Sequence, residues 1–431
     1  MRLIIVLALV FPLVKSYAVE KFSADERVRW KTYVDQIATT LTGKAVKRDQ
    51  GISWVNVTQG GKNEESVDFY LGDSGICYFL MKAYAVTHES KHLDAANSCM
   101  AYILSQAKRD SAGMYLHDTQ NGLFEGNAGP GYLFLYAYHV TKSKERLKTA
   151  EAIADRIIAK PDTGEKSSPD IIAGAAGTGL FLLKMYDVTK KSAYLDGAKK
   201  LGDFLVATAE PQAKGVKWKV RGTNVEYYFV GFSHGPAGIG YYLDRLYRAT
   251  KVDKYKEYAD KAMEHIEEIA IPEKNGVKWY HEELARKTRY SSQWCHGNPG
   301  MNPFFLDLYF RSKDKQYLDW AEKSTNYILD QGVNVRKNGS VCHGISGNTA
   351  AIYIMWRATQ DPAYFKDVRD GIRQLEESAK KTGNEIYWEP PGHNVDYSYM
   401  TGLAGIGDFF ALLASDGKLN MFGPLGYGDD M

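Results

Sequence analysis

Two tracts, Trp294-Cys295-His296-Gly297 and Cys342-His343-Gly344, each set a thiol and an imidazole directly before a glycine. The cysteines lie 47 residues apart, and each glycine opens an apolar run that reads as a helix. The unpaired N–H groups and positive dipole end of a helix N-terminus stabilise a thiolate, so both cysteines are placed to ionise and to take a soft metal. Two cysteines and one histidine form a catalytic zinc set with a fourth position open for water or substrate. A Cys295–Cys342 disulfide would compete for the thiols but would explain neither histidine, and His296 as a fourth ligand would close the site. A third tract, Phe232-Ser-His234-Gly235, keeps the imidazole without the thiol, and Asp170 stands four residues before Gly174.

All these glycines belong to one repeat. The pattern G-x-x-G followed by an apolar helix occurs seven times: Gly72-Asp-Ser-Gly75, Gly126-Asn-Ala-Gly129, Gly174-Ala-Ala-Gly177, Gly235-Pro-Ala-Gly238, Gly297-Asn-Pro-Gly300, Gly344-Ile-Ser-Gly347 and Gly402-Leu-Ala-Gly405. The first glycines are 54, 48, 61, 62, 47 and 58 residues apart, room for two helices and a variable loop per unit. The run after each motif is apolar nearly all round, as in Phe304-Phe-Leu-Asp-Leu-Tyr-Phe, and so reads as a helix buried on most sides. Before each motif lies a charge-rich stretch with apolar residues at three- and four-residue spacing, which predicts outer helices over 24–45, 90–107, 143–160, 192–209, 253–270, 314–331 and 363–380. Seven inner and seven outer helices, alternating in sequence, close most simply into an all-α, double-layered α/α toroid. Gly51-Ile-Ser-Trp54, Gly215-Val-Lys-Trp218 and Gly276-Val-Lys-Trp279 predict short β-hairpins on one face, toward which all seven inner N-termini open. The glycines would let crowded inner helices approach at the axis.

The 431 residues carry 54 basic and 52 acidic side chains, a formal charge of +2, which gives no reason to expect a nucleic-acid partner. Residues 1–18 begin with Arg2, continue through the apolar run Leu3 to Val14 and end Ser16-Tyr17-Ala18, the pattern of a signal peptide and too short for a membrane span. A secreted or periplasmic/lumenal protein is therefore expected, one toroid domain over 19–431 with no membrane span after cleavage, and a monomer. Four cysteines are too few for a disulfide scaffold, and Cys77 and Cys99 either bridge neighbouring helices or stay as buried thiols. Asn56-Val-Thr and Asn338-Gly-Ser match the glycosylation pattern, which also arises by chance.

The seven-copy ring with its Trp-Cys-x-Gly and Cys-His-Gly tracts resembles the lanthionine synthetase C-like family, the lantibiotic cyclases of bacteria and their eukaryotic relatives. The resemblance covers nearly the whole mature chain and implies the same seven-fold toroid. It implies Cys295, Cys342 and His343 as Zn2+ ligands, His234 as the catalytic acid/base, and Asp170 as the carboxylate that holds or polarises it. Ser291 stands where the bacterial cyclases carry an arginine, with Arg289 in the wrong register, and His296 stands where they usually have tyrosine. The implied chemistry is addition of a thiol, from a peptide cysteine or a small thiol, to dehydroalanine or dehydrobutyrine to give a thioether. The alternative from another class is a non-catalytic zinc toroid that binds glutathione or a protein partner. A carbohydrate-acting toroid is disfavoured, because such enzymes use paired carboxylates and the motif copies supply only Asp170.

Overall fold

The computed structural model describes residues 21–57, 63–220, 228–283, 290, 292–388 and 395–426, so the signal-peptide expectation lies outside the described residues. Fourteen α-helices alternate strictly between two layers among these residues. The inner layer is α2 (Asp73–Thr87), α4 (Ala128–Thr141), α6 (Ala175–Thr189), α8 (Pro236–Thr250), α10 (Asn298–Ser312), α12 (Ile345–Thr359) and α14 (Leu403–Ala414). The outer layer is α1 (Ala24–Gly43), α3 (Ser90–Gln106), α5 (Lys144–Ala159), α7 (Ser192–Thr208), α9 (Asp253–Glu268), α11 (Lys315–Gln331) and α13 (Pro362–Ser378). Each inner helix packs on the next in sequence, and α14 packs back on α2, so the ring is closed. The expected outer helices are found to within two residues at either end. None of the described helices is long and apolar enough to cross a membrane.

Six of the helical hairpins run from an inner helix to the following outer helix, and the seventh is assembled from the two ends of the chain, α14 against α1. The hairpin turn has its own sequence signal. Tyr84, Tyr138, Tyr186, Tyr247, Tyr309 and Trp356 each lie three residues before a Thr or Ser, and the residue after that hydroxyl is left-handed, with φ between 56° and 61° at His88, Lys142, Lys190, Lys251, Lys313 and Gln360. The N–H of each left-handed residue donates to the aromatic residue's carbonyl. The Thr or Ser hydroxyl accepts the N–H two residues on, as Thr189 does from Lys191. Left-handed backbone costs a non-glycine residue roughly 1–2 kcal/mol, and these two hydrogen bonds offset it.

The outer helices are tied to the cup-side loops by tryptophan. The indole N–H groups of Trp54, Trp218, Trp279 and Trp388 donate to the carbonyls of Leu41, Leu205, Ile266 and Leu375 at 2.8, 2.8, 2.9 and 2.8 Å, every pair thirteen residues apart. Each acceptor lies in the last turn of an outer helix, where carbonyls lack a helical partner. The three expected hairpins are present, as the antiparallel pairs Val46–Arg48 with Gly51–Ser53, Glu210–Pro211 with Val216–Lys217, and Ile271–Pro272 with Val277–Lys278. Trp388 is a fourth member of the set, without the Gly-x-x-Trp spacing by which the others were recognised.

Where the ends of the ring meet, Lys82 of α2 and Asp408 of α14 form a 2.9 Å ion pair with both side chains fully buried, and the Tyr399 hydroxyl donates to the same carboxylate. Cys77 and Cys99 are free thiols, both buried, which settles that alternative against the disulfide. Removing one partner of a buried pair leaves an uncompensated charge. Lys82→Met is therefore expected to lower the unfolding free energy by roughly 3–5 kcal/mol in a denaturant titration, and Lys82→Met with Asp408→Leu should recover part of that loss. An unchanged midpoint in the single variant would show that the seam does not depend on this pair.

Candidate active site

Aligning the seven copies on their first glycine explains how the site is assembled. The residue two positions earlier is Tyr70, Phe124, Ile172, Ser233, Cys295, Cys342 and Met400 in turn. These segments hydrogen-bond to one another around the axis through the backbone. Tyr70 N–H donates to Phe124, Phe124 to Ile172, Ile171 to Ser233, Ser233 to Cys295, Cys295 to Cys342, Cys342 to Met400, and Met400 back to Tyr70, at 2.9 to 3.3 Å. The circuit is closed. The second glycine of each motif makes room for it, since a Cβ at Gly75, Gly129, Gly177, Gly238, Gly300, Gly347 or Gly405 would overlap the carbonyl oxygen six residues earlier. At Gly75, Gly129, Gly177, Gly238, Gly300 and Gly405 that Cβ would also crowd the matching residue of the preceding copy in the ring. The expected role for these glycines is thereby corrected: the crowding comes mainly from the loop folded over each helix start and less from helix meeting helix.

Cys295 and Cys342 are neighbours because they hold the same position in adjacent copies, and His343 follows Cys342 directly. Their ligand atoms all lie within 4.8 Å of one another, the only group of this kind among the described residues. Both thiols are buried, at 8% and 1% exposure. Cys342 is held down to about 5, first by its hydrogen bond with Cys295, against burial, and then by His343 and Tyr70. The same sulfur–sulfur hydrogen bond, with burial, pushes Cys295 up, so the pair favours one thiolate and one thiol. The Tyr70 hydroxyl lies 3.1 Å from the Cys342 Sγ. Soft donors this close, in a pair that favours ionisation of one thiol, fit a metal ion that prefers sulfur and imidazole.

His296 is not in this group. Its ring stacks between His281 and His234 at centroid distances of 4.9 and 5.6 Å, and Phe229 packs against it at 4.8 Å. The structure thus brings together three ligand candidates and leaves the adjacent histidine in an aromatic stack. Trp294, next to Cys295 in sequence, is fully buried and stacks on Phe422 at 4.8 Å with a 9° interplanar angle, which makes it a wall residue.

Asp170 and His234 meet beside the group. Asp170 Oδ2 lies 2.6 Å from His234 Nδ1, while Oδ1 accepts the Ala173 N–H at 2.8 Å and Ser168 Oγ donates to Oδ2 at 3.0 Å. Asp170 is not the only motif carboxylate, as the sequence reading had it: Asp68 occupies the same position in copy one, accepts the N–H groups of Leu71 and Gly72, and likewise takes a hydroxyl from Ser66. Asp170 therefore orders its loop as Asp68 does and in addition holds an imidazole. Burial opposes a charge on His234, yet Asp170, with smaller contributions from Glu125 and Cys342, raises its pKa above the usual histidine value. With Nδ1 committed to the carboxylate, Nε2 is the nitrogen left to exchange a proton.

Tyr70, Glu125, His281, Phe229 and Phe422 are site residues that sequence reasoning missed. Tyr70 and Glu125 were open to discovery, because they sit two residues and one residue before the first glycines of copies one and two. Phe422 had no such signal. It belongs to the segment after α14, which runs across the axis: Tyr78 donates to the Asn420 carbonyl, Phe422 N–H donates to the Tyr399 hydroxyl, and Tyr241 donates to the Leu425 carbonyl. That segment floors the cup. Arg289 and Ser291, on which the resemblance departs from the bacterial cyclases, lie outside the described residues.

Comparison with known proteins agrees with this architecture. The family model "Lanthionine synthetase C-like protein" matches residues 63–423. Glutathione S-transferase LANCL1 of Danio rerio is 26% identical over 136 residues, a match that spans 32% of this chain and 32% of that protein. Among solved structures, nisin cyclase superposes with a TM-score of 0.64 at 16% identity, covering 91% of this chain and 98% of its own. Cellobiose 2-epimerase from Bacillus thermoamylovorans B4167 gives a TM-score of 0.52 at 12% identity, covering 91% and 100%. The α-1,6-mannanase GH76A of Salegentibacter sp. HEL1_6 gives 0.53 at 13%, covering 89% and 99%. Likenesses at such identities establish the α/α toroid and nothing finer. The family match extends over most of the chain and takes in both Cys-His-Gly tracts, and on that ground the chain belongs to the lanthionine synthetase C-like protein family.

Proposed function

We propose that this chain adds a thiol, from a peptide cysteine or a small thiol, to the Cβ of a dehydroalanine or dehydrobutyrine residue and so forms a thioether, with zinc as its cofactor. The observation that carries the reading is the convergence of Cys295, Cys342 and His343 with the Asp170–His234 pair in one cup. Family membership supports it, as do the likeness to a nisin cyclase and the partial match to a protein named for glutathione transfer. The signal-peptide reading adds the proposal that the mature chain works outside the cytoplasm.

Cys295, Cys342 and His343 would hold the Zn2+, which when bound supplies the Lewis acidity that lets a thiol lose its proton near neutral pH. The rest follows from the chain's own groups. As the sulfur attacks Cβ, a C–S bond forms and the C=C pair moves onto Cα and its carbonyl as an enolate. His234, whose protonated form Asp170 favours against burial, delivers its Nε2 proton to Cα and breaks that N–H bond. The proton lost by the thiol balances the one His234 gave, so the product is the simple adduct. The buried walls made by Trp294 and Phe232 exclude water from the lower part of the site.

His234→Ala and His234→Gln are expected to keep the fold while slowing thioether formation on a dehydroalanine peptide by roughly 10²–10⁴-fold, the contribution of a positioned general acid. Wild-type turnover in both variants would remove His234 from the chemistry. A wild-type protein that binds thiols but turns over none would favour the silent, binding reading instead.

The charge relation gives a pH test that does not need turnover. Because Asp170 raises His234, Asp170→Asn should move the His234 imidazole titration, followed by NMR, to lower pH. The rate requires the protonated ring, so its alkaline limb should shift to lower pH in the same variant. An unmoved titration would show that the 2.6 Å contact does not govern the charge state.

A further inference from the structure

The position two before the first glycine carries the thiols in copies five and six, and in copy one it carries Tyr70. The root of Tyr70 is fixed by the circuit: its N–H donates to the Phe124 carbonyl at 2.9 Å and its carbonyl accepts the Met400 N–H at 3.1 Å. Its ring packs edge-on against Phe124 at 6.5 Å, and Phe124 packs on Trp294 at 5.9 Å. Copy seven lies between Tyr70 and Cys342, so the two residues are rooted two segments apart, roughly 9 Å at the spacing of paired strands. Only a long side chain closes that distance. The tyrosine does, and its hydroxyl ends 3.1 Å from Cys342 Sγ. Ser233, the other hydroxyl in this register, donates instead to the Cys295 carbonyl at 2.7 Å. Packing alone does not call for the Tyr70 oxygen, because phenylalanine fills the same position in copy two.

Chemistry fixes the direction of this bond once a metal is held. A ligand cysteine must be deprotonated, so its sulfur can only accept. A phenol, which ionises near pH 10, keeps its proton to donate. A hydrogen bond to a thiolate draws charge from the sulfur. The sulfur then gives less to the metal, which keeps more of its acidity for the position left open. Two thiolates already neutralise a divalent ion, so a third sulfur is bound against accumulating negative charge. A donor on one of the first two relieves it.

Resting on the zinc-dependent thiol-addition reading above, we propose that Tyr70 is a positioning residue of that site: its hydroxyl donates to the Cys342 sulfur and draws charge from that ligand, so that the open position takes up a substrate thiol as its thiolate near neutral pH. Tyr70 acts through Cys342, and the hydroxyl, not the ring, carries the effect.

The test uses the full chain, loaded with Co2+ for spectroscopy and with Zn2+ for turnover. It compares wild type, Tyr70→Phe and a protein carrying 3-fluorotyrosine at position 70, whose hydroxyl is the stronger donor. Sulfur-to-cobalt charge-transfer absorption reads the charge on the ligand sulfurs. It should move to longer wavelength in Tyr70→Phe and to shorter wavelength with 3-fluorotyrosine. Uptake of 2-mercaptoethanol, followed by the absorption its sulfur adds, should need a higher pH in Tyr70→Phe. With zinc and a dehydroalanine peptide, kcat/KM for 2-mercaptoethanol in that variant should fall about ten-fold below neutral pH, the smaller of the losses usual when an outer hydrogen bond is removed at a metal site. The deficit should close at alkaline pH, where the free thiol ionises by itself. Absorption that stays put, or that moves the same way in both altered proteins, would mean that the hydroxyl does not donate to the sulfur, and a deficit equal at every pH would mean that Tyr70 only packs. Either result overturns the inference and leaves thiol addition standing. Should Tyr70→Phe fail to hold metal, the 3-fluorotyrosine protein, which keeps ring and hydroxyl, decides by the direction of its shift. Wild type that takes up Co2+ but adds no thiol to the peptide would overturn the thiol-addition reading, and the inference with it.

Discussion

The structure depends on a closed circuit of backbone hydrogen bonds around the toroid axis. Seven loops, one from each copy, must approach closely enough for N–H and C=O groups of neighbours to pair. That approach leaves no space for a Cβ at the second glycine of each motif, and an unpaired buried backbone group would cost as much as the hydrogen bond it lost. The glycine repeat is thus the signature of a backbone contact, and the chemistry is written on the residues that the contact brings to the axis. A thiol placed one position before the histidine in two adjacent copies is enough to gather a group that could hold a metal, since the circuit sets adjacent copies side by side.

Much of this was legible in the sequence because repetition makes local signals add. No single G-x-x-G is informative, but seven of them, each before an apolar run, required inner helices, and the intervening charge-rich stretches required outer ones. Cys295, Cys342 and His343 were recognisable for the same reason: they are departures from a pattern established by the other copies. The same logic, carried one step further, would have exposed Tyr70 and Glu125, whose chemistry is visible only when all seven copies are laid in register.

What escaped was long-range and unrepeated. The ion pair between Lys82 and Asp408 joins the first and last inner helices; Lys184 and Arg245 hold the position of Lys82 in copies three and four, but no other copy has an acidic residue at the position of Asp408 that would mark the pair. The segment that floors the cup is bound by tyrosine hydroxyls to its backbone, which leaves no trace in its own side chains. Asp170 shows a different limit. Its loop-ordering role and its partnership with His234 look alike in one dimension, and only the 2.6 Å contact shows that one carboxylate does both.

The central claim is that the backbone circuit places three residues, and no fourth among the described residues, to hold a metal. Metal analysis of the purified protein and its single variants tests this most directly. One zinc per chain is expected in the wild type and in His296→Ala, with zinc lost from Cys295→Ala, Cys342→Ala and His343→Ala while the helical circular dichroism is kept. Zinc retained in any of those three variants, or lost from His296→Ala, would contradict the account.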